Sequence, residues 1–576
     1  MFLFEGTAKG RFYVSLNINR DPYYVSVSEF LPDDDGTFSV ILPAPTANDQ
    51  FYTFGSKKMY TNDNNITTIT RLPDYVAKQT YGITMFRYCR SLISICDIDC
   101  SNMTSASEMF RGCSKLVSFP SLLHTDKLTT CDLMFSECTS MVDAPVFNTA
   151  NVKTFSSMFY KCSNLISVPE YDTSNGTNFS AMFMDASKLK TIPPINTSKG
   201  NDFHSMFMND YGLEGIPHLD TSNGSAFNSM FEECRKLVSI PLLVLSKGKN
   251  MSRMFIGCTS LEAVPELDLS SATSITSMFE KCSSVKRLPL FEFPNVKSLY
   301  RTFSYMRNLE EIPEFDLSNI ENMYQTFLQC NSIETIPDFD YSNVVNMSGA
   351  FRECTSFESV PAISCPKATD LSSLFYGCSN LESIGNMDTP AVESTALMFS
   401  RCEKLKAIPL SDVSTCTNFD RTFAICPSLE HIPVLDFSSS LNCNNLFGYS
   451  NHIKTIPDIL AANSTSYDLF LDQLINLEVL GVVDISSVPS SFSYLASSHG
   501  SLTKLTDFGG FRGLKYTMNF KYMPNLSHGS LLNILNEAGE ASEGAVMYFT
   551  QVQMDSLTEE EKSIATDKGW DIQTVS

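Results

Sequence analysis

One phrase returns along most of this chain at a fixed interval, and that recurrence limits the fold more than any other feature. Residues 227–241 read Phe-Asn-Ser-Met-Phe-Glu-Glu-Cys-Arg-Lys-Leu-Val-Ser-Ile-Pro. With the second Phe, Phe231, as marker, the same position is filled from Phe86, Phe110, Phe135 and Phe159 onward to Phe447. The step is 24 residues throughout, except for 25 between Phe110 and Phe135. Phe470 then arrives one residue early, and the pattern fades beyond it. A period in this range is the signature of a solenoid, in which each turn of chain covers the apolar face of its neighbour.

The apolar spacing predicts how each turn is built. Phe227, Met230, Phe231 and Cys234 stand at i, i+3, i+4 and i+7, one face of a short helix. Leu237 and Ile240 predict a short extended stretch, closed by Pro241, which has no amide to donate. Asp, Thr, Ser, Asn and Gly at 220–224 predict a turn, because their side chains bond to nearby backbone groups. The fold class expected is an α/β repeat solenoid with a 24-residue repeat, one short strand plus one short helix per turn.

The ends of the chain lack the phrase. Residues 1–80 predict a small β-rich N-terminal domain that caps the solenoid or docks it to something else. It contains β-branched runs at 11–16 and 23–27, and a turn at 32–36 ahead of 38–42. Residues 81–500 form the solenoid. Residues 501–576 form a C-terminal cap of mixed α/β character, with helices over 530–537 and 556–565. Thr558 and Glu561 stand in capping-box spacing, and the single Trp lies at 570.

A chain of 576 residues is too long for one globular core, whereas a solenoid grows lengthwise. The net charge of −23 argues against a nucleic-acid partner, whose phosphates require Lys and Arg. No run approaches the ~20 apolar residues of a membrane span, so no membrane insertion is expected. The first residues have no basic segment or long apolar run, so no Sec signal peptide is expected there.

Side-chain columns then separate core from surface. Of the 18 cysteines, twelve, Cys113 and Cys258 among them, stand three residues after the marker. Ala186, Asp210, Met306 and Ser450 replace Cys in that column, which a disulfide or metal ligand would not allow. The column reads as buried, reduced thiols. The column twelve after the marker is largely apolar, as at Tyr171, Leu219 and Phe339, and reads as core. The next column is mostly acidic, as at Asp172, Asp220 and Asp316, and predicts carboxylates held by helix-start amides.

The residue just after the repeated Leu is expected to face outward, and its character changes along the chain. Ile93, Val117, Val142 and Ile166 make an apolar stripe, which predicts an interface. The alternative is that the β-rich domain folds over it. Further on, Glu310, Glu334, Glu358 and Glu382 make an acidic stripe, which suits a cationic partner or plain solvated surface. No His-Glu-x-x-His pair, nucleophile elbow or phosphate loop occurs, and the seven histidines fall in unrelated columns. No catalytic residue, metal or cofactor is expected.

The phrase Met-Phe-x-x-Cys-x-x-Leu-x-x-Ile-Pro, as at 254–265, resembles the BspA-like leucine-rich repeats of bacterial surface antigens. It is also similar to the Met-Phe-x-x-Cys repeats of mycoplasma-type lipoproteins, including their Asp-Thr-Ser-Asn turns, here at 172–175 and 220–223. The resemblance implies a leucine-rich-repeat-like solenoid with an adhesive, non-catalytic surface role. Residues 556–570 look like the tails of repeat proteins encoded by Bacteroidetes and their phages. Together these predict a virion component, of phage tail or fibre type, that attaches through residues 1–80 to other virion proteins. Its solenoid would then meet a host-surface glycan or protein. The alternatives are a bacterial cell-surface adhesin and a purely structural decoration protein of the virion. A homo-oligomer is compatible with each.

Overall fold

The computed structural model describes residues 2–18, 21–42, 51–54, 65–410, 412–489 and 502–575. Two compact units result: Met1–Val285 with Pro289–Asn295, and Lys286–Leu288 with Val296–Ser576.

The first unit opens with strands. β1 (Phe2–Ala8) pairs antiparallel with β4 (Thr37–Leu42) and with β6 (Ile66–Arg71). β2 (Phe12–Ile18) lies between β3 (Asp21–Phe30) and β5 (Phe51–Thr53). Phe4 and Ala8 on β1, and Phe12 and Val14 on β2, are buried, as the two-residue alternation of a strand requires. The turn before β4 closes with Gly36 N–H on Asp33 O at 2.8 Å, and Gly36 has φ 82°, which favours glycine. β6 then pairs in parallel with β7 (Ser94–Ile95), so the strands join the repeats end-on.

From there each turn lies in register with the next. Single parallel bridges link Asn178 to Asp202 and Asp202 to Ala226, 24 residues apart, and unit two repeats this from Ser298 to Asn322 and Asn346. Marker rings stack face to face: Phe86 on Phe110 at 5.3 Å, Phe110 on Phe135 at 5.7 Å, Phe327 on Phe351 at 5.6 Å. The first stack begins inside the N-terminal strands, where Phe54 lies 4.6 Å from Phe4 and 5.5 Å from Phe86.

The helix expected in each turn is not formed. The four apolar residues do point inward, and Phe227, Met230, Phe231 and Cys234 are all buried. Their backbone is a succession of tight turns whose amides alternate between two partners. Met230, Glu232 and Cys234 donate to the carbonyl three residues back. Ser229, Phe231 and Glu233 donate to Ser252, Met254 and Ile256 of the next turn, at 2.7–3.0 Å. Residues two before and two after the marker take a left-handed conformation, as in Ser229 (φ 58°) and Glu233 (φ 60°). An eight-residue segment is too short to nucleate a stable helix. Sharing half its amides with a neighbour satisfies them just as completely.

Two irregularities follow from the same pattern. The 25-residue step is absorbed by His124, which has φ 55° and lies between Leu123, still paired in the ladder, and Thr125. Thr125 Oγ1 donates to Asn148 O, as Thr149 Oγ1 does to Asp172 O. At the far end the marker is not Phe470 but Leu471: the left-handed residues are Leu469 and Gln473, so the step stays at 24. Phe470 occupies the preceding column, that of Met230, and is equally buried.

In the second unit the parallel pairing runs on past the phrase. Val479–Leu480 pairs with Asp507–Phe508, and Val483–Asp484 with Phe511–Arg512. The boundary expected at 500 falls within 490–501, outside the described residues. Three helices follow: α1 (His528–Glu537), α2 (Gln551–Ser556) and α3 (Glu559–Thr566). Ser527, Thr550 and Thr558 cap them, the last two in reciprocal boxes with Gln553 and Glu561. Among the described residues, no helix is long and apolar enough to cross a membrane.

Candidate functional site

Each repeat turns two kinds of side chain toward the stack and a third kind away from it. Leu at six and Ile at nine after the marker are buried, as Leu237 and Ile240 are. The residue between them that follows the Leu points outward. Its amide continues the ladder: Ile166 N–H to Val142 O at 2.8 Å, Glu310 N–H to Lys286 O at 2.9 Å, Glu382 N–H to Glu358 O at 2.9 Å. Parallel in-register pairing sets like columns about 4.8 Å apart, so these residues form a continuous row within each unit.

In the first unit that row begins with Ile93, Val117, Val142 and Ile166, which are 42%, 59%, 45% and 53% exposed. The N-terminal strands do not fold over them. Those strands pair along the end of the ladder, where Ile93 N–H reaches Thr67 O at 2.8 Å. Val146, on the same turn as Val142, extends the apolar patch and is also exposed.

In the second unit Glu310, Glu334 and Glu358 are exposed and Glu382 is half-buried. Glu310 meets Lys286 at 3.4 Å and Arg287 at 3.9 Å, and Glu382 pairs with Lys406. The Lys406 ammonium holds the Glu382 carboxyl below the usual range. Among the described residues Glu334 and Glu358 thus have no ion-pair partner and form the middle of the row, and its two ends are screened by cations.

The columns that resembled chemistry serve the stack. Most aspartates of the acidic column accept the amide two residues on, as Asp172 does from Ser174 at 3.0 Å and Asp316 from Ser318 at 2.9 Å. These are turn carboxylates, not helix caps. The amide and hydroxyl of Ser174 hold Asp172 below the usual carboxylate range; the hydroxyl and amide of Ser222 do the same for Asp220. The buried threonines donate to the next turn, Thr173 Oγ1 to Asn196 O at 2.8 Å. The asparagines donate to the previous one, Asn175 Nδ2 to Ala150 O at 2.8 Å.

The thiols have the same kind of task. Cys113 Sγ donates to Phe86 O at 3.0 Å, and Cys258 Sγ to Phe231 O at 3.1 Å. Ser450 Oγ makes the equivalent bond to Phe423 O at 2.7 Å. Burial pushes the Cys258 and Cys354 thiols up, Cys354 to about 12. None of the 18 cysteines forms a disulfide, and Cys96 alone is not buried.

Two cavities add to this. One, of about 370 Å³, lies between β6 and the first turn, among Arg71, Asp74, Cys96, Asp97 and Asp99. The other, of about 510 Å³, opens beside the outward row of the second unit and is lined by Lys406, Pro427, Ser428, Glu430, His431 and His452. Column reading missed it, because His431 is eight past one marker and His452 five past the next. The usable signal was their separation of 21 residues, close to one turn of the ladder.

Among solved structures, the chain is similar to the plant peptide hormone receptor RGFR1 in complex with RGF2. The identity is 12%, with 88% of this chain and 95% of that one covered and a TM-score of 0.21. It is similar to the leucine-rich-repeat ectodomain of the receptor kinase GASSHO1/SCHENGEN3 from Arabidopsis thaliana, at 13% identity, 91% and 75% coverage and a TM-score of 0.19. It is also similar to the pneumococcal vaccine antigen PcpA, at 15% identity, 79% and 93% coverage and a TM-score of 0.24. No curated protein matches it in sequence. One family matches four times along the repeats, at residues 82–192, 190–293, 295–407 and 359–458. The chain belongs to that family, described as Mycoplasma protein of unknown function, DUF285.

Proposed function

We propose that this chain is a non-enzymatic recognition protein that holds a macromolecular partner against the outward face of its ladder. In the same reading it is a virion component, of phage tail or fibre type, on the virion surface. It attaches to other virion proteins through residues 1–80 and meets a host-surface glycan or protein with its repeats. The observation that carries recognition is the apolar row of Ile93, Val117, Val142 and Ile166, aligned one per turn and left exposed. Burying such half-exposed side chains contributes about 1 kcal/mol each before the costs of association. The non-catalytic reading is supported by the assignment of the repeated Asp, Thr, Asn and Cys side chains to backbone partners within the stack.

A second reading, a bacterial cell-surface adhesin of the BspA-like type, is favoured by the family itself, described from a bacterium. Labelled antibody on purified particles and on cells separates the two. Signal confined to phage tails supports the virion, and signal confined to cell envelopes rejects it. The apolar row is tested by Val117→Asp with Val142→Asp and Ile166→Asp. The expected result is at least tenfold weaker adsorption with an unchanged far-ultraviolet spectrum; full adsorption removes this row as the contact.

A further inference from the structure

We propose that the outer face of the tight turns in the second unit binds a neutral oligosaccharide, with one pyranose ring stacked on Tyr324. The column three before the marker holds small or polar residues in most turns, but Tyr300 and Tyr324 in two successive ones. Their rings stack on each other at 5.0 Å with 14° between the planes, and Tyr300 is 38% exposed. A pair stacked in this way turns its two outer faces along the ladder. Beyond Tyr324 the column continues as Ser348 and Ser372, too short to cover a phenol ring. The adjoining column runs from Gln325 to Gly349, which has φ 61° and leaves room for the glutamine: a Cβ there would lie 3.2 Å from Gln325 Cγ. An open notch results, with an aromatic face for one wall and a primary amide beside it.

A fixed polar network runs across the same turns. Arg307 Nη2 donates to Gln329 Oε1 at 3.0 Å, and Gln329 Nε2 donates to Glu353 Oε2 at 2.7 Å. Arg352 Nε donates to Glu353 Oε1 at 3.2 Å, and its guanidinium carbon lies 4.5 Å from the centre of the Tyr376 ring. These planar groups hold one another in place, so a ligand meets them without a large loss of rotamer freedom. Each keeps donors or lone pairs beyond the bonds already made. Arg352 and Glu353 neutralise each other, so the network suits hydroxyls rather than a charged group. Among the described residues, the hydroxyls of Tyr300 and Tyr324 and the side-chain amide of Gln325 bond to no protein group.

This combination fits a sugar. A pyranose has a face of C–H groups and a rim of hydroxyls that both donate and accept. The face packs on an aromatic ring, and the rim needs donors and acceptors side by side. A protein partner would need an apolar centre. Among the described residues from 296 to 376, the exposed large apolar side chains are Tyr300 and Val345. Single-stranded nucleic acid also stacks on tyrosine, but it needs a positively charged groove, and this chain has a net charge of −23.

The site adds a ligand class to the recognition reading and stands apart from the row at 93–166, which belongs to the first unit. The triple aspartate variant above should therefore bind sugar unchanged, and either idea can fail alone. The test is saturation-transfer NMR on the full chain with cellohexaose, N-acetylchitohexaose and maltohexaose, with hexathymidylate as comparator. At least one hexasaccharide should bind with a Kd of about 1 mM or tighter, its ring C–H protons taking up the strongest saturation. Tyr324→Ala should weaken that binding about tenfold, and Tyr324→Phe by no more than about twofold, because the ring and not its hydroxyl makes the stack. Circular dichroism checks the fold of both variants. No binding by any of the three sugars, full affinity in Tyr324→Ala, a loss in Tyr324→Phe equal to that in Tyr324→Ala, or tighter binding of hexathymidylate would each overturn the proposal.

Discussion

The cysteine column shows how a residue type is chosen for one bond. A small apolar side chain fills the space, and its S–H donates to the marker carbonyl of the turn before. Cys258→Ala should therefore cost about 1–2 kcal/mol in urea denaturation, through lost packing and the loss of one of the two hydrogen bonds to Phe231 O; Cys258→Ser, which keeps the donor as Ser450 does, should cost less. Asp210 is the costly member of the column. It is fully buried, accepts Ala186 N–H at 2.7 Å through Oδ1, and its Oδ2 has no partner. Burial pushes its carboxyl well above the ordinary value. A folded-state acid raised in this way favours the protonated form, so its contribution is intact below the unfolded value near pH 4 and declines as pH rises toward the folded one. Asp210→Asn should thus stabilise the protein more at pH 8 than at pH 5, measured as the shift in Tm. An equal shift at both would show that Asp210 is charged in the fold. Native alkylation at pH 8 should modify Cys96 before any other thiol.

At the scale of one turn, the backbone and not the side chains departs from expectation. A helix and a string of shared turns bury the same four residues, so the apolar spacing could not separate them. What separates them is the left-handed pair around each marker. Gly112, Gly257 and Gly377 fill the second of these positions in three repeats, with φ near 74°. Lys281 fills it elsewhere, at φ 65° and exposed. Lys281→Gly should stabilise by about 1 kcal/mol, and Lys281→Val should destabilise by more than that, since a β-branched side chain tolerates this region worst. A helical turn would give the opposite order, with glycine the worse. Glycine in that column was the available signal, and it is present in too few repeats to stand out against the polar residues that share it.

At the scale of the molecule, each turn bonds chiefly to the turns before and after it, so stability is close to a sum of neighbour terms. Removing one whole repeat, residues 232–255, should leave a folded chain with a small loss of Tm. Removing residues 232–243 should abolish cooperative unfolding, because every column would then face the wrong one. The N-terminal strands belong to this ladder through the pairing of β6 with β7. Deleting residues 1–80 would bare the first turn and confound any docking assay. Leu31→Asp, just past the end of β3, with Ile41→Asp on β4, both exposed, tests attachment without that damage. Particles that incorporate the variant normally would remove those side chains from the attachment surface.

Periodicity alone determined the stack, its 24-residue step, the buried columns and the outward row that holds Ile93, Val117, Val142, Ile166 and the glutamates, because a side chain repeated at one interval must meet its own copy in the next turn. Tertiary structure decided what the backbone does between those contacts, since alternate amides find their partners only once a neighbouring turn is in place. It also decided which glutamates keep their charge unscreened, and that two histidines from different columns share one cavity. Proximity between turns depends on the path of the chain across the ladder, and a count along one strand of sequence carries no record of that path.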